Sequence, residues 1–223
     1  MLHVLRQQDP RQVAGLLTTL NSASDRVAMH GVRRTLLEAQ ATAANLPLHV
    51  VDLPWPCSNA VYEQLMADAV TRLIGEGYTH VAFGDLFLED VRRYREDRLA
   101  GTALTPLFPL WKTASTSDLA RQMVAAGLRA RLTCVDPRQI APTFAGRAFD
   151  AALLAELPAA ADPCGENGEF HTFAWDGPMF TKPIAVRAGE VLTRDGFVFA
   201  DLEPDQVVSG TRQVAGRPAG FHL

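Results

Sequence analysis

The chain has 223 residues, 48% of them hydrophobic, with 21 lysines and arginines against 25 aspartates and glutamates for a formal charge of −4. A chain of this size can bury about 70% of its unfolded surface in one or two cores, and without a basic block it argues against a nucleic-acid surface or an anionic membrane partner. No run approaches the ~20 apolar residues that cross a bilayer, and no charged segment followed by a hydrophobic stretch opens the chain, so a soluble, cytoplasmic protein is expected. Cys57, Cys134 and Cys164 are odd in number, far apart and without CxxC spacing, which suggests neither a disulfide framework nor a zinc site.

In chain order, Val13 to Leu20, Leu48 to Leu53 and His80 to Phe83 are short apolar runs bounded by turns, the pattern of strands covered on both faces. Between them, Val32, Leu36, Leu37 and Ala44 follow helical spacing, as do Val61, Leu65, Ala69 and Leu73, and Gly75 and Gly77 close the second helix. Another helix is predicted from a cap near Ser117-Asp118 to Gly127, before a strand at Arg129 to Val135. Strands alternating with helices predict an α/β fold with a parallel, doubly wound sheet and right-handed crossovers over residues 1–156. From about Leu157 prolines punctuate short strands, and Val191 to Phe199 reads as a hairpin on an Asp195-Gly196 turn, so residues 157–203 form a smaller strand-rich substrate region. The Gly-, Pro- and Gln-rich residues 204–223 read as a loosely ordered tail.

The densest chemistry lies in Cys164-Gly165-Glu166-Asn167-Gly168-Glu169-Phe170-His171-Thr172-Phe173. Gly165 and Gly168 permit a tight turn that brings amides close to a ligand. From Gly168 onward the two-residue period predicts a strand with Glu169 and His171 on one face and Phe170 and Phe173 as anchors near the core. The plainer reading is a polar turn entering an edge strand.

The run Pro163 to Phe173 with Asp176-Gly177-Pro178 resembles the signature of diphthine–ammonia ligase-type proteins, in the adenine nucleotide alpha-hydrolase-like superfamily that carries a PP-loop. Met29-His30-Gly31, Phe83-Gly84-Asp85-Leu86 and Leu132-Thr133-Cys134-Val135-Asp136 extend the resemblance to roughly residues 1 to 185. One departure is that Glu166-Asn167-Gly168-Glu169-Phe170-His171-Thr172 stands where the archaeal and eukaryotic enzymes usually read E-G-G-E-[YF]-E-T, which leaves the acid substrate open. The other is that family members open with a strand, an S-G-G-K-D-S phosphate loop and a helix, whereas Met1 to Gln8 reads as that helix and nothing like the loop lies elsewhere. Such a loop is what holds ATP phosphates in the family. The expectation is that the natural protein is longer and this start internal; without its middle strand the sheet would expose unpaired edges and favour self-association into a homo-oligomer.

What the resemblance implies is an ATP-dependent amide-forming ligase, using Mg²⁺, that activates a small-molecule or protein carboxylate as an acyl-adenylate and then joins it to ammonia. Ligands of open α/β sheets bind beyond the carboxyl ends of the strands. His30 and Gly84 are therefore candidates for nucleotide binding, with Asp85 for the ribose or Mg²⁺. Glu166, Glu169 and His171 are candidates for handling the ammonium proton, and Asn167, Gly168, Thr172 and Arg138 for the substrate. Two other classes remain: a nucleotide-binding regulatory module without turnover, and an ATP-independent amidohydrolase using Cys164 and His171. The charge-dense Glu89 to Arg98 stretch reads mostly as a solvated helix face.

Overall fold

A computed structural model describes residues 1–9 and 12–205, so most of the tail expected at 204–223 lies outside the described residues. The chain is mixed α/β. It runs α1 (Leu2–Gln8), β1 (Leu16–Asn21), β2 (Arg26–Val27), α2 (Arg34–Ala44), β3 (Leu48–Leu53), α3 (Asn59–Gly75), β4 (His80–Ala82), α4 (Glu89–Leu99), β5 (Thr105–Leu107), α5 (Thr116–Ala125), β6 (Arg129–Val135), a 3₁₀ turn (Pro142–Phe144), α6 (Ala151–Glu156), β7 (Phe170–Asp176), β8 (Val186–Arg194) and β9 (Phe197–Pro204). Among the described residues no helix is long and apolar enough to cross a membrane.

Local chemistry accounts for the element ends. Ser58 accepts the Val61 amide at the start of α3, Asp150 accepts the Leu153 amide at the start of α6, and Asn45 ends α2 in the left-handed conformation. Helix α5 starts two residues earlier than its spacing predicts: Ser115, rather than Ser117-Asp118, is the cap, accepting the Asp118 amide. The predicted hairpin turn is present, with both Asp195 (φ 51°) and Gly196 (φ 82°) left-handed, as a two-residue turn between twisted strands requires.

The strands do not form one parallel, doubly wound sheet. Parallel pairing is confined to β1 with β3 and to β4 with β5, in two separate ladders, and β2 adds two antiparallel residues to β1. The largest sheet is antiparallel, in the order β7-β6-β9-β8. Strand β6 belongs to it, hydrogen-bonded to both β7 and β9, so the sheet spans the change of composition at residues 156 and 157. The reason the run Arg129 to Val135 reads as parallel is that its last four residues are all buried, as in a strand covered on both faces.

Two layers cover this sheet. On one face Leu132, Val135, Phe170 and Val198 pack with Ala120 of α5 and Leu153 of α6; on the other Phe173 and Leu202 pack with Val32 and Leu36, at and before α2. The odd spacing of Phe170 and Phe173 thus sends them to opposite faces, and His171 follows Phe173 toward the α2 side. Separate clusters join β3 to α3, and α3 to α4, β4 and β1.

The chain entering α2 is held to the sheet by ions. Asp201 of β9, 12% exposed, accepts from Arg26 (2.7 Å) and from two nitrogens of Arg33 (2.5 and 3.2 Å), and Arg26 also donates to the Gly31 carbonyl. Gly31 has φ 68°, and a Cβ there would sit 2.8 Å from the Phe199 ring. Gly31→Ala should therefore cost roughly 2–4 kcal/mol, combining a left-handed side chain with a core clash. Gly196→Ala, with φ 82° and open space around it, should cost only about 1 kcal/mol. Urea denaturation midpoints of the two variants check the contrast.

Candidate active site

The loop between α6 and β7 is built around one carboxylate. Glu169 is 1% exposed; its Oε1 accepts the Asp162 amide at 2.7 Å and the Asn167 Nδ2 at 3.1 Å, and its Oε2 accepts the Asn167 amide at 3.0 Å. Asp162 returns the favour from outside, its Oδ1 accepting the Cys164 amide (2.8 Å) and the Glu166 amide (3.3 Å). Gly165 turns at φ 71°, where a Cβ would lie 2.7 Å from the Phe170 carbonyl oxygen, and Gly168 at φ 81°. Only glycine fits at 165. The loop is tied to the end of β6 by the Asp136 amide donating to the Glu169 carbonyl (2.9 Å).

With Glu169 folded into the loop, Glu166 points out of it. Its Oε1 accepts the Leu86 amide at 2.7 Å, with the Phe87 amide adding to its stabilisation. Burial nevertheless dominates and pushes the Glu166 carboxyl up, reinforced by the charges of Asp85 and Asp162. This one bond joins the glycine-rich acidic loop to Phe83-Gly84-Asp85-Leu86, two segments 80 residues apart in sequence. Gly84 is exposed and the space a Cβ would take there is open.

Asp85 itself is not available as a free carboxylate. Arg95 of α4 grips both its oxygens, at 2.6 and 3.1 Å, and lies 4.4 Å from the centre of the Phe83 ring. No group of three or more His, Cys, Asp or Glu among the described residues is placed to hold a metal. The Asp85 carboxylate that the sequence offers to Mg²⁺ or ribose is engaged by Arg95. Arg95 was hidden in sequence by the arginines around it; the only signal was its helix beginning four residues after Asp85.

His30 and His171 lie against each other on the α2 side of the sheet, their ring centroids 4.5 Å apart and their planes tilted by 35°, and His30 Nδ1 donates to the Thr172 carbonyl at 3.4 Å. Burial lowers both; His171 is held at about 4, with the neighbouring His30 adding to the effect. Two neutral imidazoles result at neutral pH. Cys164 does not reach this pair. Its thiol donates to the Thr116 carbonyl at 3.3 Å and is pushed up to about 12 by burial and the adjacent carboxylates. A nucleophilic Cys164 with His171 as base finds no support in this geometry.

Arg138, 74% exposed, is engaged by its own neighbour: the buried Asp136 accepts from both its Nε and Nη2 at 2.8 Å, and the pairing holds the Asp136 carboxyl far below the usual range. Gln139, which the sequence did not single out, donates to Asp136 (3.1 Å) and reaches the Asn167 carbonyl at 3.5 Å. Asn167 is exposed at the loop tip, and Gly168 closes the turn by donating to the Gly165 carbonyl.

Residues 115–203, which hold this loop and most of the antiparallel sheet, match the family described as diphthamide synthase C-terminal domain. Over 121 residues the chain is 32% identical to the diphthine–ammonia ligases of Homo sapiens and Bos taurus and 30% identical to that of Rattus norvegicus, the alignment covering 52% of this chain and 45% of each relative. Over these stretches the chain is similar to diphthine–ammonia ligases. The matched segment is less than half the length of those relatives.

Two measurements follow from the geometry. Glu169→Gln places an amide donor against backbone N–H groups, and should cost about 2–3 kcal/mol in urea denaturation, more than Asn167→Ala. His171 has a folded pKa below its ordinary 6.5, so the unfolded chain binds its proton first. That stability is intact above about pH 6.5, falls as pH drops toward 4, and levels below it. His171→Asn should flatten the thermal-midpoint profile across that window.

Proposed function

We propose that this chain takes part in ATP-dependent amide formation of the diphthine–ammonia ligase type. In this reading a substrate carboxylate attacks the α-phosphorus of ATP, pyrophosphate leaves, and ammonia displaces AMP from the acyl-adenylate to give the amide. The observation that carries it is the Glu166–Leu86 hydrogen bond, which puts the acidic loop and the Gly84-Asp85 segment at one place. Gly84 leaves open space for a nucleotide beside Asp85.

The environments divide the work among the acidic loop's residues. Glu166, partly buried and raised, is the best proton acceptor for an incoming ammonium, since its burial narrows the gap between acceptor and donor. Glu169 is consumed by the loop's own amides and acts as its organiser. His171, held at about 4, is too weak a base for ammonium and offers a neutral hydrogen-bonding edge instead. Asn167 and Gly168 at the loop tip and Arg138 beside it line the approach of the acid. The acid is diphthine or another carboxylate, and three free cysteines accord with a cytoplasmic setting.

AMP release by a version of the chain extended upstream to carry a phosphate loop, given ATP, Mg²⁺, ammonium chloride and a diphthine-containing peptide, tests this reading. Ammonium-dependent AMP is expected, falling roughly 10²–10⁴-fold in Glu166→Gln with an unchanged urea midpoint. AMP formation indifferent to ammonium, or unaffected by the Glu166 change, would overturn it.

A further inference from the structure

Strand β8 forms one border of the antiparallel sheet, paired with β9 alone among the described residues. From Glu190 to Arg194 every residue is exposed, including two large apolar side chains, Val191 at 60% and Leu192 at 42%. Long exposed apolar edges are unusual, because their free N–H and C=O groups template another strand.

The hairpin determines which backbone groups face outward. Across a two-residue turn the flanking pair, Arg194 with Phe197, is hydrogen-bonded, so Arg194 and Leu192 turn their amides and carbonyls toward β9. Val191 and Thr193 then point theirs at the free edge. Side chains alternate as well. Val191 and Thr193 border a shallow concavity of about 550 Å³ with Pro137, Pro142 and Ala145, while Glu190, Leu192 and Arg194 share the opposite face, where Arg194 lies 4.9 Å from the Phe199 ring centre.

We infer that β8 docks against β8 of a second copy of this chain, antiparallel and centred on Leu192. In that register Val191 and Thr193 exchange backbone hydrogen bonds with Thr193 and Val191 of the second copy, and Leu192 meets Leu192. Glu190 meets Arg194 of the second copy, twice. Glu190 makes no ion pair among the described residues, and the carboxylate nearest Arg194 is Asp195 at 3.8 Å, so both charges gain a partner. Centring on Glu190 would set Val191 and Thr193 against residues in and beyond the bulge and two carboxylates opposite each other, which is unfavourable. The β-bulge between Ala188 and Val191 ends regular pairing on the far side. One strand edge buries less than a standard interface, so the dimer is weak and of micromolar order.

Sedimentation velocity of the full chain from low to high micromolar concentration should show a monomer–dimer equilibrium. Glu190→Arg should weaken it about tenfold, and Glu190→Arg with Arg194→Glu should restore it. Leu192→Cys should give a covalent dimer under mild oxidation, its Cα atoms facing at about 4.5 Å in a non-hydrogen-bonded pair, and Glu190→Cys should not. A monomer throughout, indifference to Glu190→Arg, cross-linking through position 190 instead of 192, or dimerisation only after removal of the residues following Asp205 would each overturn the inference. All substituted positions are exposed, so a folding defect does not confuse the result.

Discussion

A single buried carboxylate, that of Glu169, governs the shape of the candidate site. Taking a carboxylate out of water costs several kcal/mol unless hydrogen bonds replace the lost hydration. Here two backbone amides and the Asn167 side chain supply them, all from the same short loop. Loop and charge therefore form together: without the carboxylate three donors would be stranded, and without the left-handed glycines the donors would not converge. What the fold gains is a stiff acidic loop with Glu166 projecting from it at a defined angle.

The remaining parts of the site are positioned by unrelated means. His30 sits on a turn anchored to β9 by Arg26, Arg33 and Asp201, and its ring is tied to β7 through the Thr172 carbonyl. Arg95 secures Asp85 from the helix that follows it. Three segments distant in sequence, around His30, Asp85 and Glu166, are thereby brought to the sheet and its neighbouring ladder by different forces. Disturbing one need not unfold the others, and this gives mutational tests their resolving power.

Much of this was legible before any coordinates. The limits of β3 and β6, the hairpin at Asp195-Gly196 and the left-handed turns at Gly165 and Gly168 follow from period and turn chemistry. The division of labour between Glu166 and Glu169 was not legible. Both flank the same Asn-Gly pair, and only the closing of the loop decides which carboxylate turns inward. Nor was the partner of Asp85, since Arg92, Arg93, Arg95 and Arg98 look alike on a charged helix until the helix axis is placed. Strand β6 reads equally well as parallel or antiparallel because burial on both faces erases the alternation that tells them apart.

Glu169, by organising its loop, holds Glu166 on the Leu86 amide. Amide hydrogen exchange of Leu86, followed residue by residue in the native chain and in Glu169→Ala, tests it directly. Leu86 is expected to lose protection in the variant while core amides such as that of Leu132 keep theirs. Equal protection of Leu86 in both proteins would contradict it.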